Sequence, residues 1–310
     1  MRQCLASVLR SSYEKLETVV ADNGSRDGSQ EMVLKEYPTV KLIEYKKNLG
    51  FCEGNNAAIC IANGELIFLL NNDAIVDEHC IEELVSVCQS DKKIGMARSK
   101  IYYLGEEKKT IKRLQYAGGK IFPSGGTENI GDGANDLGQY DEVRDTDIIC
   151  GASFMVKREA IKLVGLLDPI YFMYYDDTDW SYRIRRNNFR VVYVPKAITY
   201  HHLGGSSFTA NRLTHNTKNR LIFVFKNFPY PGLLPWFFWE LRIALGCVIR
   251  SIYHKKNPLE FLEFLINGYI QFLRIFPKVW QKRISERFFE PFQTPLDTHQ
   301  THEIGRCRNG

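Results

Sequence analysis

The stretch YFMYYDDTDWSYRIRR, residues 171–186, sets an aromatic run against three acids, Asp176, Asp177 and Asp179, and then turns basic. Acids at a helix start satisfy orphan amide donors and complement the helix dipole. Asp176 with Asp179 three positions on can therefore be a capping arrangement, with Trp180 and Ile184 at i and i+4 as the buried stripe. Capping gives no reason for the adjacent pair, Asp176 and Asp177. A carboxylate against aromatic surface is desolvated, and beside a like charge its pKa rises, which suits a general base. The segment alone fits either reading.

Three further groups stand where apolar runs end. In FLLNNDAIVD, Asn71, Asn72 and Asp73 follow an apolar strand. A hard divalent cation carrying a diphosphate needs only one or two protein carboxylates, because phosphate oxygens and water complete its shell; a plain Asn-Asn-Asp turn fits the same letters. In ADNGSRDGS, Asp22 ends a strand and could accept hydrogen bonds from a base or ribose, while an Asx turn explains Asn23 and Gly24 equally well. In TYHHLGGSS, His201 and His202 end a strand before a glycine pair. Imidazole can join a carboxylate on a metal, and glycine lets backbone approach phosphate; a structural histidine pair is the plainer alternative.

The elements that must carry these groups alternate. Residues 5–11 read as a helix, 16–21 as a buried strand, 29–37 as a helix, VKLIEYK as a strand, NLGFCEGNN as a glycine-bearing turn and NAAICIANG as a helix closed by Gly64. ELIFLLNNDAIVD reads as a third strand, TDIICGASFMVKREAIKLVG as a strand and a helix, and FRVVYVPKAITYHH as two short strands. Such alternation predicts an α/β fold with a mainly parallel sheet, helices on both faces, and ligands at the carboxyl ends of the strands. Between about 100 and 145 the order weakens into glycine-rich loops and short strands, expected near an acceptor.

Length and composition set bounds. At 310 residues the chain suffices for one large α/β domain and an appendage. A net charge of +5 is mild, and no nucleic-acid partner is expected. Eight cysteines without a CxxC pair argue against a metal cluster or disulfide framework and for reduced thiols in the cytosol. The opening MRQCLASVLRSSYEKLE lacks an apolar core, so no signal peptide is expected. PGLLPWFFWELRIALGCVIRSIY, residues 231–253, is interrupted by Glu240, Arg242 and Arg250. It suits a helix lying in the headgroup region or one packed on protein. No GxGxxG follows a strand, which removes a nicotinamide-dependent dehydrogenase.

Taken in series, the acid loop, glycine turn, strand-end Asn-Asn-Asp, CGASFMVKREA, aromatic-Asp-Asp and His-His-x-Gly-Gly-Ser resemble glycosyltransferase family two. These are the inverting GT-A enzymes, and the likeness is greatest to the rhamnosyltransferase-like branch that builds bacterial surface polysaccharides. The resemblance implies a GT-A catalytic domain over 1–225, followed by a helical, aromatic and basic region over 226–295, associated with membrane or partner, and a disordered tail over 296–310. It implies that Asp22 contacts the nucleotide base and that Asn48, Gly50, Gly54 and Asn55 line the sugar-nucleotide pocket. Asn71, Asn72 and Asp73 stand where the family has Asp-x-Asp, leaving Asp73 as the main carboxylate ligand of Mg²⁺ or Mn²⁺. His201, with His202 a close rival, would complete the metal site. Asp177 would be the base and Asp176 would orient the acceptor.

The implied substrates are a nucleotide-diphosphate sugar, with rhamnose expected, and a lipid-linked or cell-wall glycan at the cytosolic face of the membrane. The family's first strand, an IIIVNYN-like run, is missing upstream of residue 1, so the domain reads as N-terminally truncated and two neighbouring strands are expected to lack a partner. A degenerate, non-catalytic sugar- or nucleotide-binding scaffold is the alternative.

Overall fold

The computed structural model describes residues 1–149, 151–202, 210–229 and 258–288, with positions 238, 241, 242, 245, 246 and 249. The chain divides into two compact units. The first takes in Met1–Gly119 and Asn129–Leu203, the second Lys120–Glu128 and Gly204–Glu290.

The first unit begins with α1 (Arg2–Leu9), β1 (Val19–Asp22), α2 (Ser29–Glu36), β2 (Lys41–Glu44) and α3 (Gly50–Ile61). Next come β3 (Leu66–Leu70), β4 (Ala74–Val76), α4 (Cys80–Ser90), β5 (Ile94–Tyr103) and β6 (Leu114–Tyr116). β7 (Gly119–Ile121) and β8 (Thr127–Asn129), which fall almost wholly in the second unit, pair with each other. β9 (Arg144–Asp145), β10 (Ser153–Lys157), α5 (Arg158–Val164), α6 (Asp176–Arg186) and β11 (Arg190–His201) complete it.

The main sheet runs β3, β10, β5, β11, β4, with β6 beside β5 and β9 beside β11. Only β5 and β11 run parallel along that path; β10 is antiparallel to β3 and β5, and β4 is antiparallel to β11. The expected mainly parallel sheet is therefore corrected to a mixed one. A strand buried on both faces reads as a continuous apolar run whichever way its neighbours point, so composition does not report direction. β5 illustrates this, being buried along nine of its ten residues.

Three other boundaries differ. ELIFLLNNDAIVD forms two strands, β3 and β4, at opposite ends of the strand order, and residues 71–73 join the carboxyl end of β3 to β4. FRVVYVPKAITYHH is one strand, β11, with a register shift between Val194 and Ile198 around Pro195. The expected glycine turn is mostly the first turn of α3, which starts at Gly50.

β1 and β2 form their own parallel pair, Val19 opposite Lys41 through Asp22 opposite Glu44, and among the described residues neither is hydrogen-bonded to the main sheet. Helix α1 packs on both parts. Leu5 joins the small core of Val33, Val40 and Leu42, while Val8 lies against the large core around Val76, Ile81 and Leu84. The Val76 amide donates to Ser7 Oγ at 3.2 Å. A cavity of about 530 Å³ opens at the amino ends of β1 and β2, bordered by Val8, Leu16, Thr18 and Lys41.

In the second unit α7 (Ala210–Asn227) packs on α8 (Pro258–Phe288). Leu221, Val224, Leu265, Phe272 and Val279 are buried, and Phe225 stacks 5.2 Å from Phe272. Gly268 permits the close crossing, because a Cβ there would come within 2.7 Å of Thr217 Cβ. Position 225, where the sequence reading ends the catalytic domain, lies inside α7. Most of 231–253 and all of 296–310 lie outside the described residues.

Candidate active site

Asp73 sits between β3 and β4, and β4 pairs with β11 so that Ala74 lies opposite His201. That register brings Asp73 Oδ1 to 3.2 Å from His201 Nε2, close enough for an ion pair. Among the described residues neither of these two buried atoms has a hydrogen-bond partner. His201 Nδ1 lies 2.8 Å from Gln115 Oε1 on β6. With that amide oxygen as acceptor, Nδ1 carries the proton and a neutral ring turns its lone pair toward Asp73. Two acceptors then face each other with no donor between them, a placement that only a proton or a cation satisfies. Adjacent ligands of an octahedral cation bound at ~2.1 Å stand about 3.0 Å apart, which fits this pair. Burial works to raise the Asp73 carboxyl, but with a proton on Nε2 the His201 imidazole donates to it and outweighs burial, holding the group below its usual range.

His202 differs from His201. It is exposed, and its contact with Asp73 is through the backbone, its amide donating to the Asp73 carbonyl at 3.2 Å. Asn72 is exposed, and the Asn71 amide donates to the Ala152 carbonyl at 2.8 Å, tying the turn to the start of β10. Among the described residues no three His, Cys, Asp or Glu side chains could hold a metal ion together. A cation here would take two protein ligands and complete its shell from phosphate and water, as a diphosphate-bound ion does.

Asp176 and Asp177 open α6 and are both buried. The capping reading does not hold: the N-cap is Tyr175, with no side-chain cap. Asp179 is instead a structural anion, taking Arg183 Nε at 2.7 Å and the Tyr171 hydroxyl at 3.0 Å. The chain enters α6 through Phe172, Tyr174 and Tyr175, all at φ between 64° and 67°. Left-handed backbone at bulky residues costs roughly 1–3 kcal/mol each and clusters at functional sites.

Asp177 Oδ2 accepts the Gly151 amide and Oδ1 accepts the Thr178 amide. Beneath it lies Arg98 of β5. Ser181 Oγ bonds Met96 Sδ at 3.6 Å, so the next residue outward on that strand face, Arg98, falls under the helical turn before Ser181, which holds Asp177. The Arg98 guanidinium is buried 3.6 Å above the Tyr116 ring, and among the described residues its Nε and Nη1 have no hydrogen-bond partner. Burial raises the Asp177 carboxyl, opposed by the Gly151 amide and the Arg98 charge. The Asp176 carboxyl is also raised, well above its usual range, by burial and then by the charge of Asp177. The Gly151 and Thr178 amides and the Arg98 charge all favour the ionised form of Asp177.

The remaining predicted residues frame these groups. Asp22 is buried at the end of β1, accepting the Ser25 amide at 2.9 Å and Gln30 Nε2 at 2.7 Å, an Asx turn that shapes its loop. Asn48 Oδ1 accepts the Gly50 amide at 2.8 Å at the start of α3. Asn23 Nδ2 donates to the Gly50 carbonyl at 2.8 Å, and a Cβ on Gly54 would come within 3.0 Å of that Asn23 amide. Gly50 has φ +85° and lies so close to Phe172 that a Cβ would meet it at 2.5 Å. The Phe51 amide donates to the Phe172 carbonyl at 2.7 Å. Asn55 bonds only within its helix, to the Phe51 carbonyl. A continuous chain of contacts thus runs from the Asp22 loop through Gly50 to the segment before Asp176. Gly151 and Ala152, neighbours in sequence, hold Asp177 and Asn71 respectively, so both acidic groups meet at the carboxyl end of the sheet.

Sequence reasoning missed Arg98, Gln115 and Gly151. The charges Arg98 and Lys100 inside the otherwise largely apolar run IGMARSKIYY were the signal available for Arg98.

Comparison with known proteins places this architecture. Residues 1–165 match glycosyl transferase family 2, and the chain belongs to that family. Over 257 residues it is 26% identical to the N-acetylglucosaminyl-diphospho-decaprenol L-rhamnosyltransferase of Mycobacterium tuberculosis (strain CDC 1551 / Oshkosh), covering 72% of this chain and 79% of the relative. Over 206 residues it is 25% identical to the poly-beta-1,6-N-acetyl-D-glucosamine synthase of Staphylococcus aureus (strain COL), covering 63% and 45%. Its fold is similar to that of GalNAc-T7 with UDP, GalNAc and Mn²⁺, at TM-score 0.58 and 15% identity over 93% of this chain and 55% of that one. It is also similar to the mannosyltransferase PcManGT of Pyrobaculum calidifontis with GDP-Man and Mn²⁺, at TM-score 0.53 and 17% identity over 92% and 81%.

Proposed function

We propose that this chain is an inverting glycosyltransferase that moves a sugar from a nucleotide-diphosphate donor to an acceptor hydroxyl. The observation that carries the reading is the placement of Asp177, a buried carboxylate whose anion is held by an amide and a guanidinium at the same end of the sheet as Asp73 and His201. In the transfer the acceptor O–H bond breaks and its proton passes to Asp177. The freed oxygen bonds the anomeric carbon on the face opposite the diphosphate, and the electrons of the broken C–O bond leave with the diphosphate. Asp73 and His201 would hold Mg²⁺ or Mn²⁺, which when bound neutralises the leaving diphosphate as a Lewis acid. Asp176, its carboxyl pushed well above the usual range by burial and by the charge of Asp177, would orient the acceptor. The frame of Asp22, Asn23 and Gly50 borders the nucleotide.

Rhamnose as the sugar and a lipid-linked or surface glycan as the acceptor rest on the mycobacterial relative at 26% identity. A lipid-linked acceptor sets the reaction at the cytosolic face of the cell membrane. The separation of β1 and β2 from the main sheet favours one competing reading, a non-catalytic sugar- or nucleotide-binding scaffold. Acceptor-dependent release of nucleoside diphosphate decides between them, with Asp177→Asn as control. Release that the substitution abolishes supports the transferase, release that survives it removes Asp177 from the role of base, and no release from the wild-type chain with any sugar nucleotide supports the scaffold.

A further inference from the structure

Helix α8 carries two apolar faces. One packs on α7 through Leu265, Phe272 and Val279. The other is exposed: Ile266, Ile270, Leu273, Trp280 and Ile284 recur at helical spacing, with Leu273 68% exposed. At a rise of ~1.5 Å per residue the stripe is about 27 Å long. Arg274, Lys278 and Lys282 run along its flank at i+4 intervals, and from residue 264 to 285 the helix has no acid. In the segment before it, Phe238, Leu241, Leu245 and Ile249 are also helical, exposed and three or four residues apart. No helix among the described residues is long and apolar enough to cross a membrane.

An exposed apolar stripe of this length needs an occupant. A second copy fits poorly, because pairing on this face would set cations against cations with no acid to answer them, and Pro277 stands in the middle of the seam. An anionic lipid surface answers both features. Apolar side chains enter the acyl boundary, the basic row meets the headgroups, and Trp280 suits the interface between them. We infer that the outward face of α8 is a membrane-binding surface that recognises anionic lipid headgroups. This binding is independent of catalysis, so its failure would leave the transferase reading untouched.

Co-sedimentation of the full chain with phosphatidylcholine vesicles, with and without phosphatidylglycerol, tests it. Binding is expected to phosphatidylglycerol-containing vesicles, to weaken at high salt, and to fall roughly tenfold or more in Arg274→Glu/Lys278→Glu. Ile266→Ser/Leu273→Ser should also release the protein while its melting temperature stays unchanged, since both side chains are exposed. Asp177→Asn should bind as wild type. Equal binding to both vesicle types, no binding, or binding that survives both double variants would overturn the inference. So would light scattering that shows a dimer which Ile266→Ser/Leu273→Ser converts to monomer without changing vesicle binding.

Discussion

Among the described residues Asp73 Oδ1 and His201 Nε2 face each other at 3.2 Å with no hydrogen-bond partner, whereas Asp177, also at the carboxyl end of the main sheet, has its anion held by the Gly151 and Thr178 amides above a buried Arg98. On the proposed reading the first pair is completed by a cation in place of a proton. The second is complete, and holds a carboxylate whose proton affinity is set by its surroundings. On the proposed function the contrast separates two tasks of a group-transfer site: receiving an external charge, and moving a proton at a fixed position.

Substitutions should respect that difference. Asp177→Asn is expected to lower acceptor-dependent turnover by roughly 10²–10⁴-fold, the usual worth of a general base, while calorimetry finds donor affinity little changed. Asp73→Asn should do the reverse in kind, losing cation-dependent donor binding, and chelation should mimic it in the wild type with recovery on adding Mn²⁺. Gln115→Leu leaves both acceptors in place but frees the imidazole to rotate. Cation affinity should fall about 10–100-fold, as when an outer partner of a metal-bound histidine is removed.

A pH profile sharpens the comparison further. Asp177 must be ionised to act, so turnover falls as pH drops through its raised pKa. Arg98 opposes that rise. Arg98→Met should therefore move the acidic limb of kcat to higher pH, and Arg98→Lys should restore it, which a purely structural role for Arg98 would not produce. Asp176 gives an effect on stability. Its pKa in the folded chain lies above that of the unfolded chain, so its contribution is fully present below the ordinary carboxylate range and is lost as pH rises through the raised value. Asp176→Asn should flatten that part of the melting-temperature profile. Smallest in its effect on chemistry, Gly50→Ala places a Cβ 2.5 Å from Phe172 at φ +85°, and should cost about 1–3 kcal/mol in denaturant unfolding.

Much of the site was legible because its residue types are out of place in their surroundings. Asp73 and His201 end apolar runs, and Asp177 follows an aromatic one, so each announces itself against a local pattern. Gln115, Gly151 and Arg98 act through pairings across the chain that no local pattern encodes: Gln115 reaches His201 only because β6 joins β5, and Gly151 offers a backbone amide that any residue could offer. His201 and His202 are adjacent letters, and only the register of β11 against β4 turns the first toward Asp73 and the second to solvent. Sheet direction was hidden for a similar reason, since hydrophobic runs report burial and not polarity.

The central claim is that Asp73 and His201 hold a diphosphate-bound cation beside Asp177. Manganese anomalous scattering from crystals grown with Mn²⁺ and a nucleoside diphosphate tests it directly. The account predicts one peak between Asp73 Oδ1 and His201 Nε2, absent in Asp73→Asn. A manganese peak elsewhere in the chain, with the two side chains still in direct contact, would contradict it.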